Sequence, residues 1–396
     1  MIKYDFKTFM DVEGVNNYKD IIHKIKLKLE KKESGDIFTD VDNCISKKEI
    51  EKIKKVSKYI RNNCDVFLVI GVGGSYHGSK AIVDMFTNKY KKDIEIIYTG
   101  YSLNSSNLSE LLDYIKDKRL IVNVISKSGN TLEVNFVFSK ILEIMKEKYN
   151  EKELRKRIII TTNKKSGKLL GIAKKNKYMK FYIPEISGRY SVMTAAGMLP
   201  ICVAGVDIDS LIEGYKNGDK IIDKCFLYAT IRDLLYKEGK KIEVFTIYDE
   251  KLLSFNDWLK QLFAETQGKK KSGILPISVF NTRDMHSLGQ YFTEGEDISF
   301  STVINIVNNK DIMLKDKSLN KINNISMISI AKSYSSPSII INVDKLNEKN
   351  IGELLYFFMV SCSIGGYLMG VNPYNQPGVN KYKKILKEAI NDKYKR

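Results

Sequence analysis

The chain is poor in the residues that announce several common chemistries. Its 396 residues hold five cysteines, Cys44, Cys64, Cys202, Cys225 and Cys362, and they lie far apart. None forms a Cys-x-x-Cys pair, which argues against a disulfide framework or a zinc site and fits a reducing cytoplasm. Histidine is rarer still: His23, His77 and His286 are all there are. The glycine spacing does not match a dinucleotide fingerprint, and no Gly-Lys-Ser/Thr marks a Walker A loop. The N-terminal MIKYDFKTFMDVEG has no apolar core and does not read as a signal peptide. One stretch, 351–371, is rather apolar, but Glu353, Gly365 and Gly366 interrupt it, so it reads as a buried core helix and not a membrane span. No low-complexity linker divides the chain.

What remains is an ordinary globular composition, 43% hydrophobic and 28% charged, with length enough for two domains. The formal net charge of +18 raises nucleic-acid binding as one reading. The lysines are scattered and not gathered on one arm, so a general lysine bias accounts for them better. A positive surface would still attract anionic metabolites.

Up to about Lys58 the pattern is helical and lysine-rich. Strand-like runs then alternate with helical ones. VFLVIG (66–71), IEIIYTG (94–100), LIVNVIS (120–126) and RIIITT (157–162) are each followed by a helical pattern. This order implies a parallel sheet covered on both faces. After GMLPICVAGVDI the series restarts with KIEVFTIYD (241–249), then a helix with Ser254 as its expected N-cap, then GILPISVF, FSTVINIV and PSIIINVD. The tail NKYKKILKEAINDKYKR is an amphipathic helix, placed to pack across either half.

Two strand-to-helix junctions carry chemistry. In the first, Gly71-x-Gly73-Gly74-Ser75 lets the backbone approach a ligand at a helix N-terminus, where free N–H groups favour anions. In the second, ISKSGNT, the hydroxyls of Ser126, Ser128 and Thr131 stand beside Lys127. Taken alone, the glycines serve a tight turn equally well, and Ser128 serves as a helix cap. Two such junctions on one parallel sheet share an edge and converge on one ligand. A phosphate fits so many donors plus a lysine, and a sugar phosphate fits better than a nucleotide, because nothing here seats a base.

The acid–base candidates are few. His23 reads as a solvated surface residue, and His77 follows the first glycine turn. His286 lies in a loop at a strand end, where catalytic groups tend to sit. Glu265 stands near the C-terminus of a helix, where its charge opposes the helix dipole. That makes it a candidate base, although a surface glutamate paired with a lysine is the commoner case.

Five motifs together resemble the glucose-6-phosphate isomerase family, in its short bacterial type: IGVGGSYHGSKA, ISKSGNTLE, SGRYSVMTAAGMLPICVAGVD, FAETQGKKKSGILPISVFNTRDMHSLGQYFTEGE and GVNPYNQPGVNKYKK. They span residues 70–384 in the family's order. The resemblance implies an α/β fold of two sugar isomerase (SIS) domains, each a parallel-sheet three-layer α/β/α sandwich, with a C-terminal helical arm. The expected boundaries are an N-terminal helical segment 1–45, SIS domains 46–205 and 206–372, and a C-terminal loop and helix 373–396.

By the same resemblance Glu265 is the catalytic base, His286 the ring-opening acid/base, Lys383 its partner at the ring oxygen, and Arg189 the cation beside the enediolate. Gly74, Ser75, Ser126, Lys127, Ser128 and Thr131 hold the phosphate; Glu133 and Gln376 line the sugar pocket. The implied substrates are glucose 6-phosphate and fructose 6-phosphate. No metal or cofactor, no nucleic acid and no membrane is implied. The implied setting is the cytoplasm, in glycolysis and gluconeogenesis. The implied partner is a second copy, a homodimer in which His286 reaches the neighbour's site. Asn130 stands where the family usually has threonine, Arg283 where a small polar residue is usual, and the segment after His286 is shorter than is typical. A non-catalytic sugar-phosphate sensor would keep the hydroxyl cradle but would have no use for Glu265, His286, Lys383 and Arg189 together.

Overall fold

The computed structural model describes residues 2–6, 14, 17–30, 36–91 and 94–393. The chain starts with a strand, β1 (Ile2–Asp5), and then alternates between strands and helices. Strands β2 (Val66–Ile70), β3 (Glu95–Thr99), β4 (Leu120–Ser126), β5 (Ile158–Thr162) and β6 (Met179–Tyr182) form one sheet in the order β3-β2-β4-β5-β6. Every pairing in it is parallel. β2 and β4, apolar but for Asn123 and Ser126, are buried along their whole length, as strands covered on both faces must be.

A second sheet is built from β7 (Ile242–Ile247), β8 (Leu275–Phe280), β9 (Ser299–Ile306) and β12 (Ser338–Val343), in the order β1-β12-β9-β7-β8. Its pairings are parallel except that of β1, which runs antiparallel to β12. Between β9 and β12 lie a small hairpin, β10 (Met313–Leu314) with β11 (Lys317–Ser318), and the helix Leu319–Ser333. The architecture is therefore mixed α/β on two parallel sheets.

The apolar stretch near the C-terminus is the helix Glu348–Leu368. It is long and apolar enough to cross a membrane, but 83% of its apolar window is buried within the fold. Phe357 and Phe358 pack there against Tyr228, Phe245 and Phe263. It is a core helix, as its interrupting Glu353 and glycines imply.

Three local expectations change. Residues 2–5 were read as part of a helical segment, yet they pair with β12 some 340 residues away, with Ile2 buried against Val343. A local pattern cannot register a partner so distant. Some of the N-terminal segment, at 7–13, 15–16 and 31–35, lies outside the described residues. Ser254 is not the cap of its helix: the turn starts at Asp249, whose carboxylate accepts from Lys251 N, and Ser254 donates to Asp84 instead. The strand β6 and the helix Leu319–Ser333 were not foreseen. β6 is only four residues long, and the helix scatters its apolar residues over exposed and buried positions without a clear stripe.

Candidate active site

The strands of the first sheet are parallel, so their C-terminal ends share one edge, and the loops that leave them meet. After β2 comes a single 3-10 turn, Gly73–Ser75, and then the helix His77–Phe86. Gly73 sits at φ +58, a conformation in which glycine has no Cβ penalty. A Cβ on Gly74 would lie 1.9 Å from the carbonyl oxygen of Gly188, so only glycine lets this turn press against the Gly188–Met193 segment. After β4 comes the loop 127–131, then the helix Leu132–Lys148. Ser126 Oγ and Thr131 Oγ1 share a hydrogen bond of 2.9 Å, and Ser126 Oγ accepts from Gly129 N at 3.2 Å. Asn130 uses its side chain: Oδ1 accepts from Lys168 N at 3.3 Å and ties this loop to the helix Lys168–Lys175 that follows β5.

These loops line a cavity of about 610 Å³. Gly74, Ser75, Ser126, Lys127, Ser128 and Thr131, the residues expected to hold a phosphate, all line it, and so does Glu133, expected in the sugar pocket. Glu265, Gln376 and Lys383 line the same cavity. The last two arrive from the C-terminal arm, the helix Pro377–Lys393 and the loop before it. A larger surface cleft, about 780 Å³, lies beside the second sheet, lined by Tyr248, Asn309 and Lys345 among others. It holds none of the candidates. The hydroxyl-rich loops and the ion-paired carboxylate make the smaller cavity the candidate site.

Glu265 lies in the last turn of the helix Leu253–Gln267, where the dipole disfavours its charge. Two groups offset this. Arg189 Nη1 donates to Oε2 at 3.2 Å, and Gln261 Nε2 donates to Oε1 at 3.1 Å. The carboxylate keeps about 29% of its side chain exposed, while the Arg189 side chain keeps none.

Arg189 differs from expectation. Its guanidinium is buried behind Glu265 and does not line the cavity. Nε donates to Thr266 Oγ1 at 2.7 Å, and Nη1 reaches Gln376 Oε1 at 3.0 Å as well as Glu265. Nη2 donates to the carbonyls of Pro373 and Asn375. Arg189 thus fastens Glu265, Gln376 and the loop of the C-terminal arm to one another. Lys269 adds to this fastening through the Asn372 carbonyl. Burial above all, with the nearby Arg189 charge, pulls the Lys269 ammonium down to about 8.

His286 ends a short 3-10 turn, Arg283–His286, just after β8. It is exposed and is not among the residues lining the cavity of its own chain. His77 also stays outside the lining; burial lowers its imidazole from the ordinary value. His23 lies on the surface helix Lys19–Glu30.

Several lining residues were missed by sequence reasoning. Gln261 stands four residues before Glu265, a spacing that puts both on one helix face and was readable. Asn163, Ser166, Ser187 and Tyr374 also line the cavity. Asn163 and Ser187 follow the ends of β5 and β6, and only the strand order brings them beside the cradle.

The chain was compared with known proteins. The family model described as phosphoglucose isomerase matches residues 40–274. The glucose-6-phosphate isomerase of Staphylococcus saprophyticus is 38% identical over 380 residues, covering 88% of this chain and 86% of that protein. That of Clostridioides difficile is 36% identical over 382 residues, covering 88% of this chain and 85% of that protein. A solved glucose-6-phosphate isomerase from Chlamydia trachomatis aligns with a TM-score of 0.85 at 19% identity, over 98% of this chain and 88% of that one. A hypothetical protein from Thermus thermophilus aligns at 0.88 with 22% identity, over 98% of this chain and all of that one. The two structural likenesses speak for the fold.

Proposed function

We propose a reaction path that proceeds from one premise: this chain belongs to the phosphoglucose isomerase family, and as such is an enzyme that interconverts glucose 6-phosphate and fructose 6-phosphate. The phosphate docks in the cradle of Gly74, Ser75, Ser126, Lys127, Ser128 and Thr131. This fixes the sugar's far end and orients C1 and C2 at the other end of the cavity. Glu133 and Gln376 contact the sugar between them.

Ring opening moves a proton between O1 and the ring oxygen. His286 and Lys383 have the chemistry for that step. Glu265 then takes the proton from C2 and returns it to C1, through a cis-enediol(ate). Arg189 supports the step by holding the carboxylate and by placing positive charge behind it while negative charge develops on the substrate. In this geometry it is a positioning residue.

His286 reaches the site from a second copy of the chain. What favours this is that the histidine is exposed and absent from its own chain's cavity, while the other assigned groups stand in or just behind that cavity. The working unit is then a homodimer. The five described cysteines are free and buried, which accords with the cytoplasm. The reaction's place is in glycolysis and gluconeogenesis.

One observation carries the reading: a single cavity is lined both by a hydroxyl-and-lysine cradle and by an arginine-held carboxylate. The test is a coupled assay from fructose 6-phosphate to glucose 6-phosphate on wild type and Glu265→Gln. The variant is expected to lose turnover by about 10²–10⁴-fold, the range for a positioned acid–base group, while still binding a sugar-phosphate analogue. Wild-type turnover in the variant would remove Glu265 from the mechanism.

A further inference from the structure

A negative charge that the phosphate chemistry has no use for stands beside the cradle. Three neighbouring strands each send one polar residue past the same sheet edge. Lys127 follows β4, Asn163 follows β5, and Glu185 comes three residues after β6. Glu185 Oε2 lies 3.1 Å from Lys127 Nζ, and Glu185 Oε1 accepts from Asn163 Nδ2 at 2.7 Å. Asn163 is held in turn, since its Oδ1 accepts from Lys165 N at 2.6 Å. Lys127 and Asn163 each line the cavity, and the Lys127 bond, then the Asn163 bond, pull the Glu185 carboxyl below its ordinary range. At neutral pH it is ionised.

Lys127 does not depend on Glu185 for its place. Its Nζ also donates to the backbone carbonyl of Ile186 at 3.0 Å. The carboxylate therefore adds little to positioning and mainly cancels the lysine's charge. Its side chain is 58% exposed, so it has room to turn away when another anion arrives.

We propose that Glu185 is a built-in counter-anion that competes with the substrate's phosphate for Lys127, weakening anion binding at the cradle and hastening its release. This rests on reading the cavity's hydroxyl end as the phosphate site. A negative charge beside the binding cation raises the free energy of every bound anion, whether substrate, product or free phosphate. It does so without touching the groups that act at C1 and C2. An exposed charge acts this way mainly at low ionic strength, where screening is weak.

The test is competitive inhibition of the isomerase by inorganic phosphate, at low and high salt, for wild type, Glu185→Gln and Lys127→Met. Glu185→Gln is expected to lower the phosphate inhibition constant and the KM roughly three- to ten-fold at low salt, the scale of one partly solvated charge at short range. Added salt on the order of 0.5 M is expected to erase most of that gain. Lys127→Met is expected to raise both constants. If Glu185→Gln leaves phosphate inhibition unchanged or weaker while Lys127→Met weakens it, the counter-anion idea is wrong and the cradle stands. If Lys127→Met leaves phosphate inhibition intact, the cradle reading itself fails and this inference with it.

Discussion

Replacing Arg189 with lysine keeps the charge and removes the fork. Five donated hydrogen bonds leave this guanidinium, to Thr266, Glu265, Gln376 and the carbonyls of Pro373 and Asn375. They leave from three nitrogens pointing in different directions. A lysine ammonium gathers its donors at one point and cannot span them. At least two buried acceptors then go unpaired, each costing about 1–3 kcal/mol. Arg189 is fully buried, and its contacts with Thr266 and the Pro373 carbonyl are buried with it, so water does not replace the donors lost there. Arg189→Lys is therefore expected to lower the unfolding free energy by about 3 kcal/mol, with a range of roughly 2–5. Urea unfolding followed by circular dichroism measures this. The same change frees Gln376 and the 372–376 loop from Glu265, and a base misplaced by an ångström loses on the order of 10²-fold in kcat/KM. An unfolding free energy within about 0.5 kcal/mol of wild type, the level of an ordinary surface change, would refute the clamp.

Two further outcomes follow from the same geometry. Lys269 is pulled down to about 8 from an ordinary 10.5, so above pH 8 the unfolded chain binds this proton more readily than the fold does. The resulting penalty is fully present below about pH 8 and is relieved as pH rises toward 10.5. Urea melts should show the stability difference between wild type and Lys269→Met shifting toward the wild type between those limits; parallel pH curves would count against it. For the shared site, Glu265→Gln and His286→Ala proteins, each inactive, are dissociated, mixed and re-associated. Mixed dimers with one intact site should recover up to about a quarter of wild-type activity, half of the molecules being mixed and each having one of its two sites whole. No recovery in dimers shown to have exchanged subunits would place the histidine elsewhere.

The cradle was legible because it is local. Strand, glycine turn and helix follow within a few residues at 69–82 and again at 124–138, and parallel strands must deliver both to one edge. Glu265 was legible as an oddity, a carboxylate at the wrong end of a helix. The reason it is tolerated was not: Arg189 stands 76 residues away in the chain, and nothing local ties the two. The position assigned to Arg189 shifted for the same reason. A role beside the substrate and a place behind the base look alike in sequence, and only burial separates them. β1 and the Lys127–Glu185–Asn163 row belong with these features. Each joins residues whose adjacency is a property of strand order, not of sequence spacing.

The account's central claim is that Glu265 moves the proton at C2 while the cradle holds the phosphate. Its most direct measurement is the loss of deuterium from C2 of glucose 6-phosphate labelled there, whether to C1 or to solvent, in wild type and Glu265→Gln. Binding of a sugar-phosphate analogue is measured on the same samples. The wild type should lose the label at the rate of turnover. The variant should keep it, slowed by about 10²–10⁴-fold, with analogue affinity within about threefold of wild type. A Glu265→Gln enzyme that releases the C2 deuterium at the wild-type rate would contradict the account.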